Sequence, residues 1–167
     1  MAKLYPRQEG TVTPTKLDWV RLAAYIDGEG SILITERHYK TSPYLGMYIR
    51  VVLANTDPRL CLWAQERFGG VFVISQRDKP AHHKTPYKWH VSCNQAACIL
   101  ERCLPYLLLK REQAEIALAF QSTVTNGRGR GAKLTDEERA IRESCKEDLL
   151  RLRQQRILPE HVVTPVM

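Results

Sequence analysis

The sequence predicts a single α+β domain whose elements follow the order αββαββα, with further helices after them. Two pairs of β-rich segments, each separated by turn residues, indicate two β-hairpins. A helix-start signal precedes the first pair, another stands between the pairs, and helical apolar spacing follows the second. With 167 residues and 44% hydrophobic content, the chain can form one domain with its own core and is short for two.

The first helix is predicted from the residues at its two ends. Thr15 and Asp18 have the spacing of a capping box, so the helix should begin near Lys16. Gly28 and Gly30 are expected to end it. A β-rich run follows at once and predicts that the chain leaves the helix end as a strand.

The remaining elements are assigned by the same signals. β-branched and aromatic runs predict four strands, at 31–39, 44–54, 71–75 and 87–92. Asp57 followed by Pro58 resembles an N-cap and first helical residue, and Thr135 with Glu138 forms another capping box. Further helices are predicted at about 58–68, 94–105, 110–122 and 135–156.

Composition divides the chain into three parts. Residues 1–14 contain prolines, a glycine and charges, which predict an irregular arm. Residues 15–125 hold the αββαββα pattern and form the core. Residues 126–167 form a basic, glycine-rich loop and a charged C-terminal helix, expected to pack on the same domain.

Charge and composition limit the classes of function. The formal net charge of +7 favours a polyanionic partner such as nucleic acid, with a basic but inert surface as the alternative. No apolar run approaches the roughly 18 residues needed to span a bilayer, so we expect a soluble, intracellular protein without a membrane partner. The 5 cysteines form no CxxC pair and their number is odd, which indicates neither a zinc ribbon nor a disulfide framework.

Glu29 is the most informative acidic residue. It stands between Gly28 and Gly30, at the predicted C-terminal end of the first helix. A carboxylate there faces the negative end of the helix dipole, which is unfavourable unless a cation offsets it. Glu29 is therefore a candidate metal ligand, and an ordinary solvated acid is the alternative.

The nonapeptide at 22–30 resembles the LAGLIDADG motif of homing endonucleases. The motif places are held by Leu22, Ala23, Ile26, Asp27, Glu29 and Gly30. The sequence departs from the motif at Ala24, where glycine is usual, at Tyr25, and at the common variants Gly28 and Glu29. The element order is that of the single-motif members of this family over roughly residues 15–125. The resemblance implies a saddle-shaped sheet that is mixed or antiparallel. It also implies that the protein works in the cytoplasm of a prokaryote or in an organelle of a eukaryote.

The resemblance also implies a metal site and a dimer. In the family, the last acid of the motif binds Mg²⁺ and the preceding residue supplies its carbonyl, which here are Glu29 and Gly28; Ca²⁺ or Mn²⁺ could substitute. Oxygen ligands are those that Mg²⁺ prefers. Since one chain carries one motif, a homodimer with paired motif helices would bring two such acids together. The implied interface residues are Leu22, Ala23, Ala24, Ile26 and Asp27, although a coreward apolar stripe also explains the alanines.

Three further catalytic residues follow from the resemblance. Asn55 takes the place of a glutamine that usually ends the second strand, Arg59 takes the place of a cation on the next helix, and Lys110 follows the segment Leu104–Leu109. Asn55 departs from the family pattern. These side chains would surround the attacking water.

DNA-facing residues are predicted on alternate positions of the strands, because one face of the sheet must be core. In the second hairpin, Tyr87, Trp89 and Val91 suit the core. This leaves Lys88, His90 and Ser92 outward. In the first hairpin, the family register implies Ser31, Leu33, Thr35 and Arg37 on the DNA side, with Tyr48 and Arg50 opposite them. The predicted DNA-binding residues also include Arg128, Arg130 and Lys133 in the basic loop. The alternative is that these are solvated strand and loop residues.

The resemblance therefore implies a Mg²⁺-dependent, homodimeric endonuclease that cleaves both strands of a long, near-palindromic DNA site and promotes intron mobility. A catalytically silent nucleic-acid-binding protein, such as an intron maturase, is the first alternative. A nuclease that depends on His82, His83, His90 and Asn94 is the second.

Overall fold

The computed structural model describes residues 12–38, 45–74, 85–124 and 134–154. Its helices are α1 (Lys16–Glu29), α2 (Pro58–Phe68), α3 (Cys93–Cys103), α4 (Arg111–Val124) and α5 (Asp136–Gln154). Its strands are β1 (Gly30–His38), β2 (Leu45–Asn55), β3 (Val71–Ile74) and β4 (Tyr87–Ser92). A single 3₁₀ turn, Leu104–Tyr106, connects α3 to the segment before α4.

The four strands form one antiparallel sheet in the order β1-β2-β4-β3. The two hairpins join through β2 and β4, where Val51 pairs with Val91 and Asn55 pairs with Tyr87. The start of β1, the end of β2 and the start of β4 therefore lie at the same end of the sheet. This end carries the candidate site.

Capping determines where α1 begins and ends. The Asp18 amide donates to Thr15 Oγ1 at 3.3 Å, and the Thr15 amide donates to the Asp18 carboxylate at 2.8 Å, which confirms the capping box. Gly28 is still helical, and the helix ends at Gly30, whose amide donates to Tyr25 and Ile26 carbonyls. A Cβ at Gly30 would lie 2.7 Å from Ile26 Cα, so the helix can pass directly into β1 only with glycine here.

The helices cover one face of the sheet. Alternate strand residues on that face are fully buried with side chains from the helices, among them Ile32, Ile49, Val51, Leu53 and Trp89. The prediction that Trp89 and Val91 belong to the core is confirmed, and Tyr87 packs against it half-buried. The opposite face is half-buried or exposed along the described parts of the strands.

Two glycines shape the turn between α2 and β3. Gly69 and Gly70 have φ values of +70° and +87°, a conformation that L side chains rarely adopt. The Trp89 indole N–H donates to the Gly69 carbonyl at 2.7 Å, which fixes the turn to the core. A Cβ at Gly70 would lie 2.8 Å from the His90 carbonyl, so this glycine also permits close approach of β3 and β4.

The predicted α+β architecture and element order are confirmed, and the sheet is antiparallel rather than mixed. The boundaries differ from the predicted ones by one or two residues. The third helix begins at Cys93 rather than 94 or 95, and the fourth begins at Arg111 and extends to Val124. The predicted ends of the third strand and the last helix, at 75 and 156, lie outside the described residues.

No helix in the described parts of the chain has the length and apolar character needed to cross a membrane.

Candidate metal and nucleic-acid site

Glu29 and Asn55 come together at the end of the sheet. Glu29 is the last residue of α1, Asn55 is the last residue of β2, and Asn55 Nδ2 donates a hydrogen bond to Glu29 Oε2. Asn55 Oδ1 accepts from the Asp57 amide at 2.8 Å, which fixes the orientation of the amide group. One carboxylate oxygen of Glu29 is thereby held, and the exposed side chain leaves the other available to a ligand.

Arg59 lies close to this pair but is bound to Asp57. Its Nε donates to both oxygens of the Asp57 carboxylate at 3.0 Å, and its Nη2 makes a further ion pair with Oδ2. The hydrogen bonds from Arg59 lower the pKa of Asp57 to about 2, and Asp57 raises the pKa of Arg59. Because the Arg59 side chain is 88% exposed, this pair is weak and the guanidinium can exchange to a phosphate.

Lys110 lies behind the end of α1. Its Nζ donates to the carbonyls of Ile26, Asp27 and Gly30 at 2.7, 2.8 and 2.8 Å. Burial lowers the pKa of Lys110, and the Asp27 carboxylate acts in the opposite direction. The structure therefore brings Lys110 to the same helix end as Glu29, where the lysine binds backbone carbonyls rather than the Glu29 side chain.

Asp27 and Glu29 have different surroundings although both belong to the motif. The Asp27 carboxylate accepts hydrogen bonds from the amides of Leu108, Leu109 and Lys110 at 2.7, 3.2 and 2.9 Å. Asp27 thus caps the segment before α4 within its own chain. Of the two motif acids, Glu29 is the one whose carboxylate faces solvent.

The donor groups at this helix end fit a hard divalent cation, since the Glu29 carboxylate and the Gly28 carbonyl offer oxygen ligands. Gly28 is exposed. No group of three His, Cys, Asp or Glu side chains that could hold a metal occurs among the described residues. A complete ligand set would therefore require water, DNA or a second copy of the chain.

The outer face of the sheet carries the predicted DNA-facing strand residues. The register places all nine of them on the side opposite the core: Ser31, Leu33, Thr35, Arg37, Tyr48, Arg50, Lys88, His90 and Ser92. The described strands contain one acidic residue, Glu36, which lies on the other face and pairs with Lys146. This outer face is consequently positive or neutral, as a phosphate-binding surface requires.

Arg50 is braced at the centre of this outer face. Its Nε donates to Ser92 Oγ at 3.3 Å, its Nη2 donates to Tyr48 Oη at 2.9 Å, and its guanidinium lies 5.3 Å from the Tyr48 ring centroid. Burial and the nearby Arg50 lower the pKa of His90. Sequence reasoning placed these residues on one face but did not anticipate that they bond to one another.

The predicted interface on α1 needs correction. Leu22, Ala23 and Ile26 have no exposed surface because they pack in the core of their own chain, so their side chains are not available to a partner. Ala24 is exposed and Asp27 is half-buried. Ala23 therefore belongs to the core of its own protomer, whereas Ala24 lies on the surface and is accessible to a partner.

Sequence reasoning missed a set of exposed apolar residues around α1. Leu17 and Val20 lie on the same side of the helix as Ala24, by helical spacing. Leu108 and Leu109 are 84% and 72% exposed and lie beside α1, because their backbone amides donate hydrogen bonds to the Asp27 carboxylate. The signal for this set in the sequence is the helical spacing of positions 17, 20, 24 and 28.

Some predicted residues lie outside the described parts of the chain: Arg128, Arg130, Lys133, His82 and His83. Two residues of the alternative histidine-dependent nuclease site, His90 and Asn94, are described. His90 lies on the outer face of the sheet, whereas the Asn94 side chain accepts a hydrogen bond from Gln121 at 2.8 Å.

No protein-family model and no curated protein matches this sequence. Among solved structures, the chain is similar to the homing endonuclease I-CvuI in complex with its target, with 21% identity, a TM-score of 0.58, and coverage of 80% of this chain and 95% of I-CvuI. It is also similar to the archaeal intron-encoded homing endonuclease I-Vdi141I complexed with DNA, with 11% identity, a TM-score of 0.65, and coverage of 86% and 88%. A third similar structure is the LAGLIDADG homing endonuclease I-GzeII in complex with its DNA target, with 15% identity and a TM-score of 0.50. The matched region covers 82% of this chain and 43% of I-GzeII.

Proposed function

Because this chain has the LAGLIDADG homing endonuclease fold, we propose that it is a site-specific DNA endonuclease that acts as a homodimer. The proposal includes metal-dependent cleavage of both strands of a long, near-palindromic site and a role in intron mobility. It rests on the sequence motif at 22–30, the outer face of the sheet and the surroundings of Glu29.

One observation carries the proposal: the solvent-facing carboxylate of Glu29 lies at the end of a sheet whose outer face is basic. Asn55 orients this carboxylate and accepts from the Asp57 amide, and Asp57 pairs with Arg59 in the first turn of α2. DNA that follows the outer face would pass this end of the sheet. A hydrolytic group and a binding surface are thereby combined in one protomer.

Glu29 and Gly28 would hold the divalent cation. When bound, such a cation supplies charge stabilisation to the phosphate and lowers the pKa of an attacking water. Asn55 holds Glu29 in one orientation and lies where it can also donate to a water. Arg59, released from Asp57, would neutralise charge on the phosphate.

The dimer is supported by the exposed apolar side of α1. Leu17, Val20 and Ala24 form a stripe on it, and a Cβ added at Gly28 would meet no atom within 4 Å. Since packing within the protomer does not require glycine at 28, close approach of a second α1 is a physical reason for a small residue there. Parallel pairing of two α1 helices at this stripe, about a twofold axis that runs along them, would bring the two Glu29 side chains together at their C-terminal ends.

The test is incubation of the purified protein with DNA of its host insertion site, with and without Mg²⁺. We expect Mg²⁺-dependent double-strand cleavage by the wild type and a loss of at least about 100-fold in Glu29→Gln. Use of the chain's own site matters, because I-CvuI in complex with an I-CreI target in the presence of Mg left the DNA uncleaved.

Glu66→Gln, an exposed change on α2, is the matched control and should cleave as the wild type does. Cleavage that persists in Glu29→Gln would reject the catalytic assignment. Tight, salt-dependent binding without any cleavage by the wild type would instead favour the catalytically silent alternative, which host-intron splicing assays would then examine.

A further inference from the structure

Lys110 has no hydrogen-bond donor left for a substrate. An ammonium group has three N–H donors, and three backbone carbonyls accept from Lys110 Nζ at 2.7 to 2.8 Å: those of Ile26 and Asp27 in the last turn of α1, and that of Gly30 at the start of β1. A water or phosphate oxygen could receive a proton from this group only if one of these bonds broke. The Lys110 ammonium group therefore binds backbone carbonyls and has no N–H left to donate to a substrate.

The position of these carbonyls gives Lys110 a different task. The last carbonyls of a helix lack partners within the helix and carry its negative dipole end. In α1 this end also bears Glu29, and its last turn contains no basic residue. Lys110 supplies the missing cation from a segment that lies more than 80 residues along the chain.

The contact is reciprocal. While Lys110 Nζ caps the carbonyls of α1, the Asp27 carboxylate of α1 caps the amides of Leu108, Leu109 and Lys110. The Lys110 carbonyl in turn accepts from the Ala114 amide at 2.9 Å, so the residue directly before α4 also bonds to its first turn. We call Asp27 and Lys110 with these backbone partners the α1–α4 clamp.

We infer that Lys110 is a positioning residue: through the α1–α4 clamp it fixes the last turn of α1, and with it the position of Glu29, without touching the attacking water or the phosphate. This inference rests on the proposed function for the role of Glu29. It differs from the catalytic role that the family resemblance implies for Lys110. It also assigns Asp27 to the same unit.

The experiment compares Lys110→Met, Asp27→Asn and the double variant by amide hydrogen exchange without DNA or metal. Each single variant should increase exchange at 26–30 and 108–110 by about tenfold or more, because each breaks the same local structure. The double variant should add little to either single change, since residues of one unit are not additive. Lys110→Arg, which keeps the charge and several donors, should restore part of the protection.

Arg111→Met is the matched control, because Arg111 is adjacent in sequence but pairs with Glu115 on the surface of α4. It should leave exchange at 26–30 unchanged. If Lys110→Met gives no folded protein, Lys110→Gln retains two donors and serves for the same comparison.

Cleavage assays then separate positioning from direct catalysis. Positioning predicts that Lys110→Met and Asp27→Asn lower the cleavage rate by similar factors and that Lys110→Arg recovers part of it. Normal exchange at 26–30 in Lys110→Met, together with lost cleavage and an active Asp27→Asn, would overturn the inference. If the wild type does not cleave its DNA, the proposed function fails, whereas the exchange comparison still decides whether the clamp holds α1.

Discussion

Arg50 shows how neighbouring side chains can prepare one residue for recognition. Of its five N–H donors, one is taken by Ser92 Oγ and one by Tyr48 Oη, which leaves three. The Tyr48 ring restricts the guanidinium further. A planar fork held in this way on the outer face of the sheet is suited to a guanine edge in the major groove.

We therefore predict that Arg50→Lys weakens a preference for guanine at one base pair in each half of the site by about 1–3 kcal/mol, because lysine keeps the charge but lacks the fork. Selection from randomised double-stranded DNA in the presence of Ca²⁺ measures it. Lys88→Gln is the comparison, and it should weaken binding about equally at all sequences if Lys88 contacts phosphate. An unchanged base preference in Arg50→Lys would show that Arg50 contacts only phosphate or protein.

At the scale of elements, α5 illustrates how a charged helix joins a core. Leu149 is 3% exposed, and Cys145 packs against the core. Arg142 donates to the Thr123 side chain and carbonyl at 2.9 Å, where it caps the end of α4, and Lys146 pairs with Glu36 on β1. Arg142 thus joins α5 to the end of α4, and Lys146 joins α5 to the part of β1 farthest from Glu29.

We predict that Leu149→Ala lowers the free energy of unfolding by about 2–5 kcal/mol, because it leaves a cavity at a buried position of α5. Urea denaturation measures this change. Leu150→Ala, at an exposed neighbouring position, should stay within about 0.5 kcal/mol of the wild type. Equal stabilities of the two variants would mean that α5 does not belong to the cooperative unit formed by residues 15–125.

For the whole molecule, the exposed apolar side of α1 is the feature that a protomer alone leaves unexplained. The described chain places one motif acid, Glu29, with its carboxylate facing solvent at the end of α1, and exposed apolar residues lie along this helix and in the adjacent segment at Leu108 and Leu109. A second copy would bury these residues and supply a second carboxylate.

Leu109→Glu tests the dimer, since Leu109 is 72% exposed and its replacement should cost the protomer little. Burial of a leucine contributes about 1.5–3 kcal/mol, and each change occurs twice, so the dissociation constant of the dimer should rise at least about 100-fold. Sedimentation velocity gives the measurement, with Ile141→Glu on α5 as the control. A wild type that is monomeric with and without its DNA would contradict the proposed dimer.

Periodicity and capping determined the order of helices and strands, since both act between residues close in sequence. Thr15 with Asp18 and Asp57 with Pro58 define helix starts through contacts within a few residues. Strand alternation separated Lys88, His90 and Ser92 from Trp89 and Val91, whereas the outward residues of the first hairpin were assigned from the family resemblance. The motif identified Glu29, and the structural comparisons confirm the fold that it implied.

Other features depended on contacts between distant segments and could be decided only by the tertiary structure. Whether an apolar residue of α1 faces the core or the solvent follows from which side packs on the sheet, so Leu22, Ala23 and Ile26 were assigned to the wrong surface. The bond between Asn55 and Glu29 joins residues 26 positions apart, and the α1–α4 clamp joins residues more than 80 apart. Local sequence specifies which groups a segment carries, whereas packing decides which of those groups meet and which remain free to act.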